Sequence, residues 1–343
     1  MKGIRLRVLS GLLLCLVLAA PGLADTNPEG TTLTDVTLTN GDCLNLGTIN
    51  NSSDLRYGIR STTFDLFNGP TGVIRTSGLL AYGILAENGG QGWNFGGLIE
   101  TYASTTHGIE LRLGSLGGNT GTINTFGGNA YGLSVIGDST GLNLGEIHTS
   151  GTGGHGVFAN LDSEATNQGS ITTSGDEAVG MYGAFGSFVE NEGSIVTSGL
   201  DSHGMKAYEE DARALNSGSI ATYGNGARGM WAIWSASIQN ASTGSIATSG
   251  DQAHGMMAEA GSSADNAGSI VTLGLAAHGM MASGDSEIFN SGTIQTSGYL
   301  AAGMAAENNS SADNSGSIET KGDFSYGMAA REGSYAVNNA SGT

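Results

Sequence analysis

The stretch Ser291–Met304, SGTIQTSGYLAAGM, decides the fold. It recurs almost word for word from Gly268-Ser269-Ile270 to Gly279-Met280, and again from Gly316-Ser317-Ile318 to Gly327-Met328. A stretch that recurs is a building unit rather than a site, so its period is the first quantity to fix. Aligned on the isoleucine, the copies are Ile49, Ile74, Ile99, Ile123, Ile147, Ile171, Ile195, Ile220, Ile246, Ile270, Ile294 and Ile318. Twelve units follow one another at intervals of 24 to 26 residues.

Two glycines keep a fixed distance from each isoleucine, one two residues before it and one nine residues after it, in all twelve units. Only 59 of 343 residues are glycine, so chance does not fill both columns. All length variation falls after the second glycine, where loops absorb insertions without breaking backbone pairing. The residue after the isoleucine varies freely, and the next is Thr in eleven units, with Asn51 the exception. Ten residues past the isoleucine stands a second apolar column: Ile59, Ile84, Ile109, Leu133, Val157, Met181, Met205, Met230, Met256, Met280, Met304 and Met328. Fixed, free, fixed is the period of a strand with one buried face. The segments are too short for helices.

One unit cannot bury its apolar row alone. It offers two inward strands and a third short one, as at Phe188-Val189-Glu190 and Glu287-Ile288-Phe289. Stacking solves the problem, because each coil then bonds to its neighbours and isoleucine lies on isoleucine. The expected fold is all-β: a right-handed parallel β-helix, or solenoid, of about twelve 24-residue coils, roughly 55–60 Å long at a strand spacing of ~4.8 Å. Its spine is Ile171, Ile195, Ile220, Ile246, Ile270, Ile294 and Ile318 beside Met181, Met205, Met230, Met256, Met280, Met304 and Met328. Glycine suits the corners, where φ > 0 or close backbone approach is needed. Four residues before the isoleucine, nine of twelve units carry Asn; Pro70, Phe95 and Ser242 interrupt the column. Stacked amides of that kind can bond along a ladder.

Residues 1–24 read differently. Lys2, Arg5 and Arg7 precede an apolar run from Val8 to Ala20, and Gly22-Leu23-Ala24 offers a cleavage point, so this is a predicted secretory signal peptide. Residues 25–44 are expected to supply N-terminal cap strands, since residues 31–40 (TTLTDVTLTN) alternate, and 45–343 form the repeat region. The pattern asks for an isoleucine directly after Thr343, so the chain is expected to be a fragment or truncated frame of a longer array. Cys43 is alone beyond the leader, which excludes an intrachain disulfide there. Without the three cations of residues 1–24, the chain holds 9 Lys and Arg against 31 Asp and Glu, or −22. Such a surface repels nucleic acid and anionic membrane.

Candidate chemistry is sparse. Five of six histidines share a column eight residues past the isoleucine: His107, His155, His203, His254 and His278. Two consecutive His without an acidic or thiol partner make a poor metal clip, and the column reads as stacked rings before a glycine corner. Gly137-Asp138-Ser139 and Gly284-Asp285-Ser286 lack the strand-to-helix elbow and partners of a nucleophile motif. No catalytic, metal or cofactor-binding residue is assigned, and no cofactor is expected. The binding candidates are Tyr223, Trp231 and Trp234, whose rings could form an outward patch for sugar or protein.

Units of the form N-x-G-S-I-x-T-S-G-x-x-A-x-G-M-x-A, as at Asn266–Ala282 and Asn290–Ala306, resemble passenger-domain repeats of Gram-negative autotransporters (type V secretion). The resemblance covers roughly residues 45–343 and implies export, display at the cell surface or release, and an outer-membrane β-barrel translocator absent from this chain. The expected function is a non-enzymatic, adhesive or spacer rod that meets a host or cell-surface protein or glycan. The alternative is a β-helical glycan-degrading enzyme acting on extracellular polysaccharide, which requires two carboxylates in one groove.

Overall fold

Thr293 to Thr296 is a strand because Ile294 and Thr296 point inward while Thr293 and Gln295 face water. The same alternation, repeated each coil, builds the molecule. The computed structural model describes residues 25–34 and 41–339. The predicted leader and residues 35–40 of the alternating stretch lie outside the described residues.

Each coil contributes three strands, exemplified by Ser263–Asn266, Ser269–Thr272 and Met280–Ser283. They fall into three parallel sheets of 14, 13 and 12 strands, here the asparagine, isoleucine and methionine sheets. Ile270 pairs with Ile294, Met280 with Met304 and Asn266 with Asn290, so residues one coil apart in sequence are neighbours in space. Asp25–Asn27 and Thr32–Thr34 add the first strands of the asparagine and isoleucine sheets.

The isoleucines and methionines of the spine are buried through Ile294 and Met304; Ile318 and Met328 of the last described coil are partly buried against it. Facing interior positions compensate in volume. Leu111 sits over Gly117 and Val135 over Gly141, whereas Gly183 faces Val189. Ala232 and Ile238, then Ala282 and Ile288, continue the exchange of small for large across the core.

The buried asparagines are satisfied along the axis. Fourteen asparagines, Asn27 to Asn338, form one ladder in which each Nδ2–H donates to Oδ1 of the next coil at 2.7–2.9 Å. The three interruptions read from sequence are therefore corrected. Asn68, Asn94 and Asn240 fill those rungs, and the extra residues bulge in the turn between asparagine and isoleucine strands. In seven coils the threonine column closes its own corner, as where Thr272 Oγ1–H donates to the Ala277 carbonyl at 2.8 Å, whereas Thr76, Thr173 and Thr296 make no such bond. Asn51 reaches the Tyr57 carbonyl at 2.6 Å in the same role.

Glycine serves the corners for both expected reasons, positive φ at the turn after the methionine strand, as at Gly261 and Gly284, and close approach just before that strand. A Cβ built on Gly279 would lie 2.6 Å from the Gly303 carbonyl oxygen and closer still to Ile294 Cγ2. Close approach, not positive φ, excludes a side chain there. At this corner the left-handed residue is the one six past each isoleucine, with φ of 49–69° in all twelve coils. Only Gly153 and Gly226 among these are glycine; Leu300 and Phe324 hold the same conformation.

Candidate functional site: the outer face of the methionine sheet

On the methionine strands the inward residues form the spine, so the alternate residues form an outward row. Its neighbour in space is the histidine column just before the strand. In the first coils the column is a pile of rings. Tyr82, His107, Tyr131 and His155 succeed one another with centroids 4.4–5.0 Å apart and planes within 13°.

Each histidine is also tied to the next coil. Nδ1 of His107, His155, His203, His254 and His278 accepts the backbone N–H of Tyr131, Val179, Arg228, His278 and Ala302 at 2.9–3.1 Å. That bond places the ring proton on Nε2 and requires neutral imidazole. Burial, reinforced by neighbouring charges, pushes His107 and His155 down to about 3 and His278 to about 4, and holds His203 and His254 well below the usual range. The column is a structural seam whose Nδ1 atoms are already engaged. Among the described residues no group of three or more His, Cys, Asp or Glu is arranged to hold a metal.

Two charged clusters sit on this face. In the early coils Arg112 contacts both Glu87 and Glu110, and Arg60 meets Glu87 at 3.2 Å. Glu110 is almost wholly buried; burial raises its carboxyl while Arg112 opposes the shift, and its Oε2 lies 3.6 Å from His107 Nε2. Burial also pushes the neighbouring Tyr82 up to about 12.

The second cluster occupies the middle coils. Phe158, Tyr182, Lys206, Trp231 and Met257 are successive rungs of the outward row. Lys206 Nζ lies 4.3 Å from the Trp231 ring centroid and 5.1–5.2 Å from those of Tyr182 and Tyr208. Arg228 takes a histidine-column position and places its guanidinium 4.4 Å from the same indole. Trp231 Nε1–H donates to Glu259 at 2.6 Å, and Trp234 packs on Tyr208 at 4.9 Å. Burial lowers Lys206 and Arg228, helped for Lys206 by the Arg228 charge.

Of the three sequence candidates, Trp231 and Trp234 belong to this cluster, Trp234 half exposed on a turn. Tyr223 does not: it follows the isoleucine strand Ser219–Thr222, at a different corner of the coil. Lys206, Arg228, Tyr182, Tyr208 and Glu259 were not singled out from sequence. The available signal was the 25-residue step from Lys206 to Trp231, which makes them cross-strand neighbours.

Parallel coils with a patterned outer face define a β-solenoid of the passenger type, as the repeat resemblance implies. The chain belongs to the family described as the BigA third pectate lyase-like domain, which matches residues 114–236 and again 205–342, well over half its length. The overlap suits a repeat that aligns in more than one register. No curated protein matches the sequence. Among solved structures, a chain of "The cryo-EM structure of the Vag8-C1 inhibitor complex" is similar in fold, with a TM-score of 0.67 and 18% identity over 87% of this chain and 76% of that one.

Proposed function

We propose that this chain is a non-enzymatic passenger rod, exported and displayed at the cell surface or released, that adheres through the outer face of its methionine sheet. One observation carries the reading: an otherwise acidic rod gathers Tyr182, Tyr208, Trp231 and Trp234 with Lys206 and Arg228 in one place. Aromatic rings with polar tips and Arg dominate contact surfaces because they bury much area at low entropic cost. The partner is a cell-surface or host protein or glycan, and the autotransporter resemblance supplies the route, a β-barrel translocator. The test is binding of the purified chain to glycan arrays and to intact cell surfaces. Binding that weakens at least tenfold in Tyr208→Ala and Trp234→Ala is expected. No binding to either, or binding indifferent to both variants, leaves only a spacer.

The second reading, a glycan-degrading enzyme, is favoured by one feature, the buried Glu110 with its raised carboxyl beside Glu87. A carboxyl kept protonated next to a second carboxylate is the requirement of glycoside cleavage. Arg112 between them favours charge neutralisation inside the stack instead. Release of reducing ends from polysaccharide, abolished in Glu110→Gln, would establish the enzyme over the rod.

A further inference from the structure

Lys206 and Arg228 are unlike the other cations of this face. Arg60, Arg112 and Arg331 each contact a glutamate carboxylate. Lys206 and Arg228 make no such pair among the described residues; they lie on aromatic rings, and Arg228 Nε–H points at Met257 Sδ, 2.9 Å away. Glu259, whose charge acts on both cations, accepts the Trp231 indole N–H at 2.6 Å. Two partly desolvated cations with no carboxylate in direct contact among the described residues, and only the through-space charge of Glu259 on both and of Asp201 on Arg228, are held still by one indole and form a receptor for a single anionic group.

The surroundings narrow the ligand. Trp234 and Phe185 expose 49% and 46% of their surface beside the cations, which suits stacking on the faces of pyranose rings. The turn Glu209-Glu210-Asp211 borders the cluster on the side of the asparagine sheet, and Asp201 acts on Arg228 from the other side. A polyanion laid along the rod meets those carboxylates and the overall −22 balance of the chain beyond residue 24.

We infer that Lys206, Arg228 and the rings around Trp231 bind a saccharide that carries one carboxylate on an otherwise neutral chain, such as a terminal acidic sugar. The carboxylate pairs with the two cations at the Trp231 ring, and neighbouring neutral sugars lie on Trp234 and Tyr208. This rests on the adhesive reading and gives it a ligand class.

The experiment measures binding of sialyllactose, lactose, heparin and a poly-glutamate peptide to the purified chain. Sialyllactose is expected to bind at least tenfold more tightly than lactose, and the polyanions weakly. Lys206→Met and Arg228→Gln should remove that preference with the thermal midpoint unchanged, and Arg228→Lys should restore part of it. Equal binding of sialyllactose and lactose overturns the inference. So does preference for heparin or the peptide, indifference to the two cation variants, or absence of binding to all four probes. Cell-surface binding that still needs Trp234 would then leave the adhesive reading standing and this ligand class excluded.

Discussion

The imidazoles of His254 and His278 lie parallel, 3° apart in plane and 5.0 Å between centroids, and the His278 backbone N–H donates to His254 Nδ1 at 3.0 Å. The bond exists only while His254 is neutral. Burial holds the folded pKa below the ordinary value near 6.5, so protons bind the unfolded chain more tightly. The stabilisation is complete above about pH 6.5 and is lost as pH falls from there toward the folded value, with a slope of up to about 1.4 kcal/mol per pH unit for each histidine. The thermal midpoint should therefore fall between pH 6.5 and pH 4. In His254→Phe that fall should be shallower by one histidine's share, against a cost at pH 8 of about 1–2 kcal/mol for the orphaned His278 N–H. An unchanged acid limb in the variant would show that the seam does not titrate with folding.

Asn266→Leu removes one rung of the amide ladder. Asn240 Nδ2 loses its side-chain acceptor and Asn290 Oδ1 its donor, both at buried positions. The expected loss is about 2–4 kcal/mol from two unsatisfied groups, visible as a lower urea midpoint. Asn266→Asp should be worse, since it buries a carboxyl among amides that have no proton to spare.

Gly279→Ala and Gly327→Ala form a matched pair. The first drives a methyl group into the Gly303 carbonyl and Ile294, while the second meets nothing within 4 Å. Gly279→Ala should destabilise by on the order of 3 kcal/mol, and Gly327→Ala should change the midpoint little. Similar losses in both would mean that glycine serves backbone freedom rather than space.

Cys43 is buried and its thiol donates to the Gly41 carbonyl at 3.3 Å. Alkylation by a maleimide should be slow in buffer and fast in denaturant, and its rate reports opening of the first coils alone. Prompt native-state labelling would show that this end frays.

The repeat made the fold readable, because a fixed isoleucine every coil implies that Ile270 touches Ile294. The pattern is obscured where an insertion falls inside a turn. Pro70, Phe95 and Ser242 stand four residues before their isoleucines because the turn between the asparagine and isoleucine strands is longer there, and Asn68, Asn94 and Asn240 hold the rungs. The serine seam, in which Ser262 N–H donates to Ser286 Oγ at 3.2 Å, stayed hidden in a chain rich in serine. The left-handed corner gave no signal, since Leu300, Glu177 and Ala276 do not advertise positive φ. The candidate site was half legible: tryptophans are rare enough to notice, but Lys206 and Arg228 gain meaning only once coils are superposed. Tyr223 looked close to Trp231 in sequence, yet eight residues around a coil lead past a corner to another sheet.

Because every rung repeats the same contacts, one coil makes an acceptable neighbour for almost any other. Duplication or loss of a whole unit in the gene changes reach without inventing a new junction. The position of the tryptophan cluster along the stack can thus be shifted by copying alone, without altering the cluster itself.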